Sequence, residues 1–305
     1  LVWKNSPNNP VISAIDPSGV TKFNGCYYVA SQGGGFKKRC MVLRASYDFE
    51  HWSDAFVLGF RLDSVSPRFF DTYVNTGEQV HLGAGLWNRG NVVVGFYGMW
   101  HGPGSENEDL RHVSMDIGLV VSNDGIHYRE PIPDFKIIPL REERTRVQWG
   151  LGPVKWKAYT MEQTALVQGQ GFENFGDKTY VWYSGWHDGN VYLAWWPRDR
   201  FGYYSATSPA VSRRELMEGS LASANPHFIS YPIKLGHLGA RVFVNADGLS
   251  EHSYLTVEIL DEKFQRLKGY SKDDCIPIKE PVGRFEHTSY GGSRDPRTVE
   301  PVGLR

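Results

Sequence analysis

Cysteine is scarce in this chain. Only Cys26, Cys40 and Cys275 occur in 305 residues, too few and too scattered for a disulfide framework. With no CxxC or Cys/His zinc spacing, free thiols are expected. Charge of one sign is also lacking: 33 Lys+Arg against 34 Asp+Glu leave a formal net charge of −1. That balance argues against a broadly basic nucleic-acid surface and against a polybasic membrane patch. No apolar run approaches the roughly 18 residues of a spanning helix. Helical patterning is rare, Ser212–Ala222 being the main candidate, with Ser212 as cap and Glu215 three residues on. A Gly-x-Ser-x-Gly elbow is missing, and the Gly33–Gly35 run is not followed by the Lys-Ser/Thr of a phosphate loop.

Aromatics are what the chain has in quantity. Ten Trp, 16 Tyr and 16 Phe stand beside 33 Gly and 17 Pro, the composition of an all-β, turn-rich fold with aromatic-lined clefts. Short β-branched or aromatic runs bounded by Gly, Asn and Asp predict strands at Cys26–Ser31, Met41–Ala45, Val80–Leu86, Asn91–Met99, Ile117–Ser122, Thr179–Ser184 and Val191–Trp195. A weak repeat organises them. Ser46-Tyr47-Asp48-Phe49-Glu50-His51-Trp52 aligns with Ser122-Asn123-Asp124-Gly125-Ile126-His127-Tyr128, and Leu193–Phe201 is a looser third copy. Each copy reads as the exit of a small antiparallel sheet, closed by a Ser-x-Asp turn and sealed by an aromatic. Sheets of this kind repeated radially make a β-propeller. After about Tyr231 the texture changes. Val242–Asn245, Tyr254–Leu260 and Cys275–Ile278 alternate as half-buried strands, with a hairpin turn at Asp261–Phe264. The expected division is therefore a propeller over residues 1–230 and a β-sandwich-like module over 231–305, whose polar tail either wraps the surface or leaves the module incomplete.

The opening segment Asn9-Pro10-Val11 … Asp16-Pro17-Ser18-Gly19-Val20 … Gly25-Cys26-Tyr27-Tyr28-Val29 resembles the first blade of the five-bladed propeller glycoside hydrolases, families 43 and 32 and their relatives. Residues Ile117–Pro131 are similar to a later repeat of that group, and Val257–Asp261 to the C-terminal β-sandwich of the family 32-like members. The resemblance implies five blades and cleavage of a glycosidic bond in an oligo- or polysaccharide. Such cleavage needs an acid to protonate the leaving oxygen and a carboxylate on the opposite face of the sugar. A third carboxylate nearby keeps the acid protonated.

Asp16, before Pro17, matches the base of family 43; the plain alternative is a turn-forming Asp. Asp116, which opens the Ile117–Ser122 strand, is the candidate middle carboxylate, with Asp71 as its rival. Glu173 is the candidate acid, although Asn174 stands where the family has Gly-Pro. Sugar rings have apolar faces and polar rims, so Trp87, Trp100 with His101, and Trp186 with His187 are the substrate-binding candidates. Core packing is the alternative for each Trp, and His101 or His187 is an alternative acid by analogy.

About 5–5.5 Å between acid and base carboxylates gives retention and about 6.5–9.5 Å inversion, and the family 43 likeness implies inversion. Two other readings stand beside the hydrolase. One is a non-catalytic carbohydrate-binding propeller. The other is a glycoside phosphorylase, in which Arg44, Arg89 or Arg111 would bind phosphate. Neither reading involves nucleic acid or membrane. No organic cofactor is expected; family analogy allows a structural Ca²⁺ in the channel, which no clustered ligand spacing demands. The chain begins at Leu1 with no basic and apolar leader. A removed export signal and a trimmed start both account for this, so the compartment stays open, with a secreted or periplasmic protein slightly favoured over a cytoplasmic one.

Overall fold

The computed structural model describes residues 3–34, 39–62, 78–101, 114–140, 147–148, 160–161, 165–185, 190–202, 227–233, 243–244, 246–279 and 283–284. These residues form strands, turns and bridges with no α-helix among them; Ser212–Ala222 lies outside them. The chain divides into two compact units, Leu1–Phe201 and Gly202–Arg305. The break thus follows Phe201, earlier than the boundary at 230 expected from texture.

The first unit is a succession of antiparallel meanders. Strands β1 (Pro17–Phe23), β2 (Cys26–Gly33), β3 (Cys40–Ser46) and β4 (Val57–Phe60) form the first sheet in chain order. The second sheet follows the same plan with β5 (Gln79–Asn88), β6 (Val93–His101), β7 (Ser114–Ser122) and β8 (Lys136–Ile138). A short ladder of β9 (Val147–Gln148) and β10 (Thr160–Met161) precedes the third sheet. That sheet consists of β11 (Leu166–Phe175), β12 (Lys178–Gly185) and β13 (Val191–Pro197). Tight turns set the registers. Between β1 and β2, Asn24 and Gly25 both have positive φ, 49° and 84°, the pairing that a two-residue hairpin with strand-matching twist requires. Phe23 then falls opposite Cys26.

Local chemistry closes the sheets as the repeat implies. Ser46 Oγ accepts from the backbone N–H of Phe49, Asp48 Oδ1 accepts from Glu50 and His51 N–H, and His51 Nδ1 lies 2.7 Å from Asp48 Oδ2. Ser122, Asp124 and His127 repeat this arrangement, with His127 Nδ1 again 2.7 Å from its Asp. The looser third copy does another job: the Asp199 N–H donates to Thr179 Oγ1, and its carboxylate accepts from Arg89.

The first strands of the three sheets lie side by side. Ser18 Oγ donates to Ala84 O at 3.2 Å, and Asn88 Nδ2 donates to Lys22 O at 2.6 Å. From β11, the Gln170 amide clasps the Leu86 peptide through both its groups (3.1 and 2.9 Å), and Gln168 Nε2 donates to His81 O and Gly83 O. This explains why the Gln/Gly-rich run, which has little of the composition of a strand, forms one. Its polar side chains complete the ladder of a neighbouring sheet instead of facing water.

One core fills the space between the first and second sheets, with Phe23, Tyr28, Met41 and Leu43 against Leu86, Tyr97, Met99 and Val120. A second joins the second and third sheets, with Phe96, Ile117 and Leu119 against Leu166, Val181 and Phe201. Strand β6 is buried along its whole length because its two faces serve the two cores. This is how blades of a propeller pack, and three sheets of this kind, not five, are formed among the described residues.

In the second unit, β14 (Phe243–Val244) pairs with β15 (Gly283–Arg284). The expected strands there are joined by isolated bridges, Leu255 to Ile278 and Leu260 to Arg266. The second of these brackets the predicted hairpin at Asp261. Two packed sheets of a sandwich do not form among its described residues. All three cysteines are buried thiols.

The side-by-side first strands leave no room for side chains between them. A Cβ on Gly19 would lie 2.3 Å from Ala84 O, and one on Gly85 2.3 Å from Gly169 O. Gly19→Ala and Gly85→Ala are therefore expected to cost about 1–3 kcal/mol each through overpacking against backbone, measured by urea denaturation.

Candidate active site

The strand register assembles a polar cluster at one end of these first strands. Gln79, the first residue of β5, pairs with Trp100, so Glu78 comes into line with His101 at the end of β6. His101 pairs with Ser114, which puts Asp116, two residues along β7, on the same face as its diagonal neighbour. All three side chains are buried, and His101 is fully enclosed. Nδ1 of His101 meets Glu78 Oε2, and Nε2 lies 2.8 Å from Asp116 Oδ2. The other Asp116 oxygen accepts the Leu140 N–H at 2.6 Å. Burial pushes the Asp116 carboxyl up, but the hydrogen bonds from His101 and Leu140, with the charges of His101 and Lys136, hold it below the usual carboxylate range.

A second group adjoins the first. Arg39, also buried, lies with its guanidinium 4.7 Å from the Trp100 ring centroid. Its Nη1 donates to His81 Nδ1 at 2.7 Å. Because a guanidinium only donates, that nitrogen is an acceptor and the His81 ring carries its proton on Nε2. The Arg39 backbone is fixed on both sides, its N–H on Gln79 Oε1 and its C=O receiving Val80 N–H. Burial pulls the Arg39 guanidinium below its ordinary value, and the negative charge of Asp16 works against that. Asp16 itself is exposed, directly ahead of β1, with its N–H on Ser31 Oγ at 3.0 Å. Of the carboxylates Asp16, Glu78 and Asp116 at this end, Asp16 alone faces solvent.

Glu173 lies elsewhere. It is exposed near the far end of β11, beside Asn174, whose Nδ2 donates to Asp199 Oδ1 at 3.0 Å. Asp199 also receives Arg89, which follows the last residue of β5, whereas Glu78 and Gln79 stand at its start. Glu173 therefore sits at the opposite end of the strands from Asp16 and Asp116, and the three expected carboxylates are not brought together. Trp87 belongs to that far end too, stacked on Phe172 at 5.6 Å with the Arg89 guanidinium 4.0 Å from its ring. It packs the seam between the second and third sheets. Trp100 and His101 are fully enclosed, so neither offers a surface to a sugar. Trp186, His187 and Asp71 lie outside the described residues.

Sequence reasoning missed Glu78, Arg39 and His81. For Glu78 a signal was present. A carboxylate leads the first strand of the first sheet at Asp16, and the same rule applied to the second sheet selects Glu78 rather than Asp116 on its third strand. No three His, Cys, Asp or Glu side chains gather as a metal site among the described residues. The Ca²⁺ of family analogy does not fit this end, where both buried carboxylates are turned onto His101.

No family model and no curated protein sequence matches the chain. Solved structures do. The GH32 β-fructofuranosidase BmSUC1 of Bombyx mori matches with a TM-score of 0.37 at 14% identity, over 59% of this chain and 32% of its own. A glycosyl hydrolase from Bacteroides ovatus gives 0.33 at 14% identity, over 59% and 44%. Zg3597, a family 117 glycoside hydrolase of Zobellia galactanivorans, gives 0.32 at 10% identity, over 63% and 54%. The chain thus spans between a third and about half of the length of these structures.

Asp116 uses both oxygens as acceptors, which an amide cannot do. Asp116→Asn should destabilise the fold by about 3 kcal/mol, the cost of breaking a buried charged pair. The sign with pH follows from its lowered carboxyl. The contribution is present above the unfolded carboxyl range and is lost as the pH falls through the lower, folded range. Thermal melts from pH 7 down to pH 3 should show the wild-type advantage over Asp116→Asn shrinking.

Proposed function

We propose that the chain is a glycosidase of the propeller type, with Asp16 as the carboxylate that activates water or attacks the anomeric carbon. The observation that carries this reading is the asymmetry between the two ends of the first strands. At one end an exposed carboxylate stands beside a buried cation and two buried carboxylates; the far end is closed by aromatic packing. Buried, charge-coupled groups gathered beside an exposed acid are the physical signature of a reactive site. Glu78 takes the supporting role once given to Asp116, as a fixed negative charge at the head of the second sheet.

The ring would continue past the third sheet. Trp182, Leu193 and Trp195 share its outward face and remain about half exposed, an apolar sheet face that a further blade would cover. Five blades are the closed form proposed, on the sequence resemblance of the opening segment. The substrate is an oligo- or polysaccharide, and inversion the expected outcome.

A carbohydrate-binding module without turnover is the second reading. It is favoured by the position of Glu173, which leaves Asp16 as the lone exposed carboxylate of the site among the described residues.

Release of reducing sugar from a panel of oligo- and polysaccharides separates the two. Asp16→Asn should abolish turnover, by roughly 10²-fold or more, with folding intact, while Glu173→Gln keeps near-wild-type rates. Binding of a sugar with no turnover by the wild type would establish the module instead.

A further inference from the structure

We infer that His101 is a positioning residue whose ring carries both protons, an imidazolium that fixes Glu78 at the head of β5. The geometry carries this. Each ring nitrogen sits against a carboxylate oxygen, Nδ1 on Glu78 and Nε2 on Asp116. An ionised carboxylate only accepts hydrogen bonds, and a neutral imidazole has a single N–H to give. Two such contacts therefore need a second proton, and imidazole is the more basic partner. His81 is the opposite case, a neutral ring whose Nδ1 accepts from Arg39. Two buried histidines on neighbouring strands, three residues apart in register, thus hold different protonation states, each dictated by what faces it.

Among the described residues, the charged and titratable surroundings are these. Glu78 precedes β5 and Asp116 lies on β7. Lys136 on β8 acts on Asp116, and Tyr97 on β6 feels the charge of Glu78. Arg39, from the first sheet, lies over the neighbouring Trp100 together with His81. Loss of the ring proton would put a nitrogen lone pair against a carboxylate oxygen. That contact is repulsive, so one carboxylate must turn away. Glu78 is the residue before Gln79, and Gln79 and His81 are what hold Arg39 near Asp16. A single proton therefore secures the end of β5 on which the candidate site is built. Only the effect on turnover rests on the glycosidase reading; the protonation state does not.

Glu78→Gln is the discriminating variant. Its amide can donate to Nδ1, so the ring relaxes to a neutral imidazole that keeps its Nε2–H on Asp116. Long-range proton–nitrogen correlation on the full chain, with His101→Gln used to assign the resonance, reads the ring directly. The wild type should show protons on both nitrogens at neutral pH and Glu78→Gln on one. The wild type should lose thermal stability as rising pH strips the ring, and Glu78→Gln should flatten that limb. A neutral wild-type ring overturns the inference, as does a variant whose ring state and pH profile match the wild type. If Glu78→Gln does not fold, the wild-type spectrum alone decides. If no glycoside is turned over, the glycosidase reading fails while the ring spectrum still decides this one.

Discussion

The close approach of the first strands of successive sheets is the constraint on which the rest of the structure depends. Gly19 on β1 and Gly85 on β5 let backbone meet backbone of the next sheet where a Cβ would collide. The ladders of β1, β5 and β11 are then joined by Ser18, Gln168 and Gln170 instead of by apolar contact. Hydrophobic packing lies further out, in the two cores that flank the second sheet. This inverts the usual order of a β domain, where the centre is greasy and the rim polar. It also leaves the strand starts, at one end of the assembly, as the place where unlike chemical groups from different sheets can meet.

How much of this was legible in the sequence depends on what each residue was reading. Runs whose side chains pack against other side chains, such as those of β2, β6 and β7, announced themselves through β-branched and aromatic alternation. The Ser-x-Asp-x-x-His turns were legible too, because their hydrogen bonds are local and their spacing is fixed by the turn itself. Strand β11 was not. Its Gln and Gly residues look like a turn, and become a strand only because the backbone of β5 is there to receive their amides. Glu173 lies near the end of that strand, and nothing in its local sequence shows at which end of the sheet it falls. Glu78, by contrast, follows a rule the sequence already showed at Asp16, but the strand it leads carries no motif of its own.

The Trp-His pairs teach a related point. Trp100 and His101 follow an inner-looking strand, and pattern alone suits either a pocket rim or a core. Burial decides between them, and burial depends on what the next sheet contributes. Here Arg39 crosses over the Trp100 face and Glu78 closes on His101, so both side chains are spent on holding neighbours in place.

Buried charge at the near end has a cost, since ions taken out of water must be repaid by geometry. A chain folding for stability alone would do better with leucine at those positions. What the charges supply is fixed placement. A carboxylate bound on both oxygens, as Asp116 is, cannot act as a base or an acid. An exposed one such as Asp16 can, but has no second charge of its own to orient it. Under the proposed function, splitting the two roles between sheets lets the exposed carboxylate stay wet and free while its electrostatic surroundings stay dry and rigid, the arrangement that preorganised catalysis uses. The far end, closed by Trp87 stacked on Phe172 and by the Arg89–Asp199 pair, then works as the anchor. It sets the register of β5 and β11, and that register delivers Gln168 to His81 and Gln79 to Arg39 at the end where the chemistry is proposed.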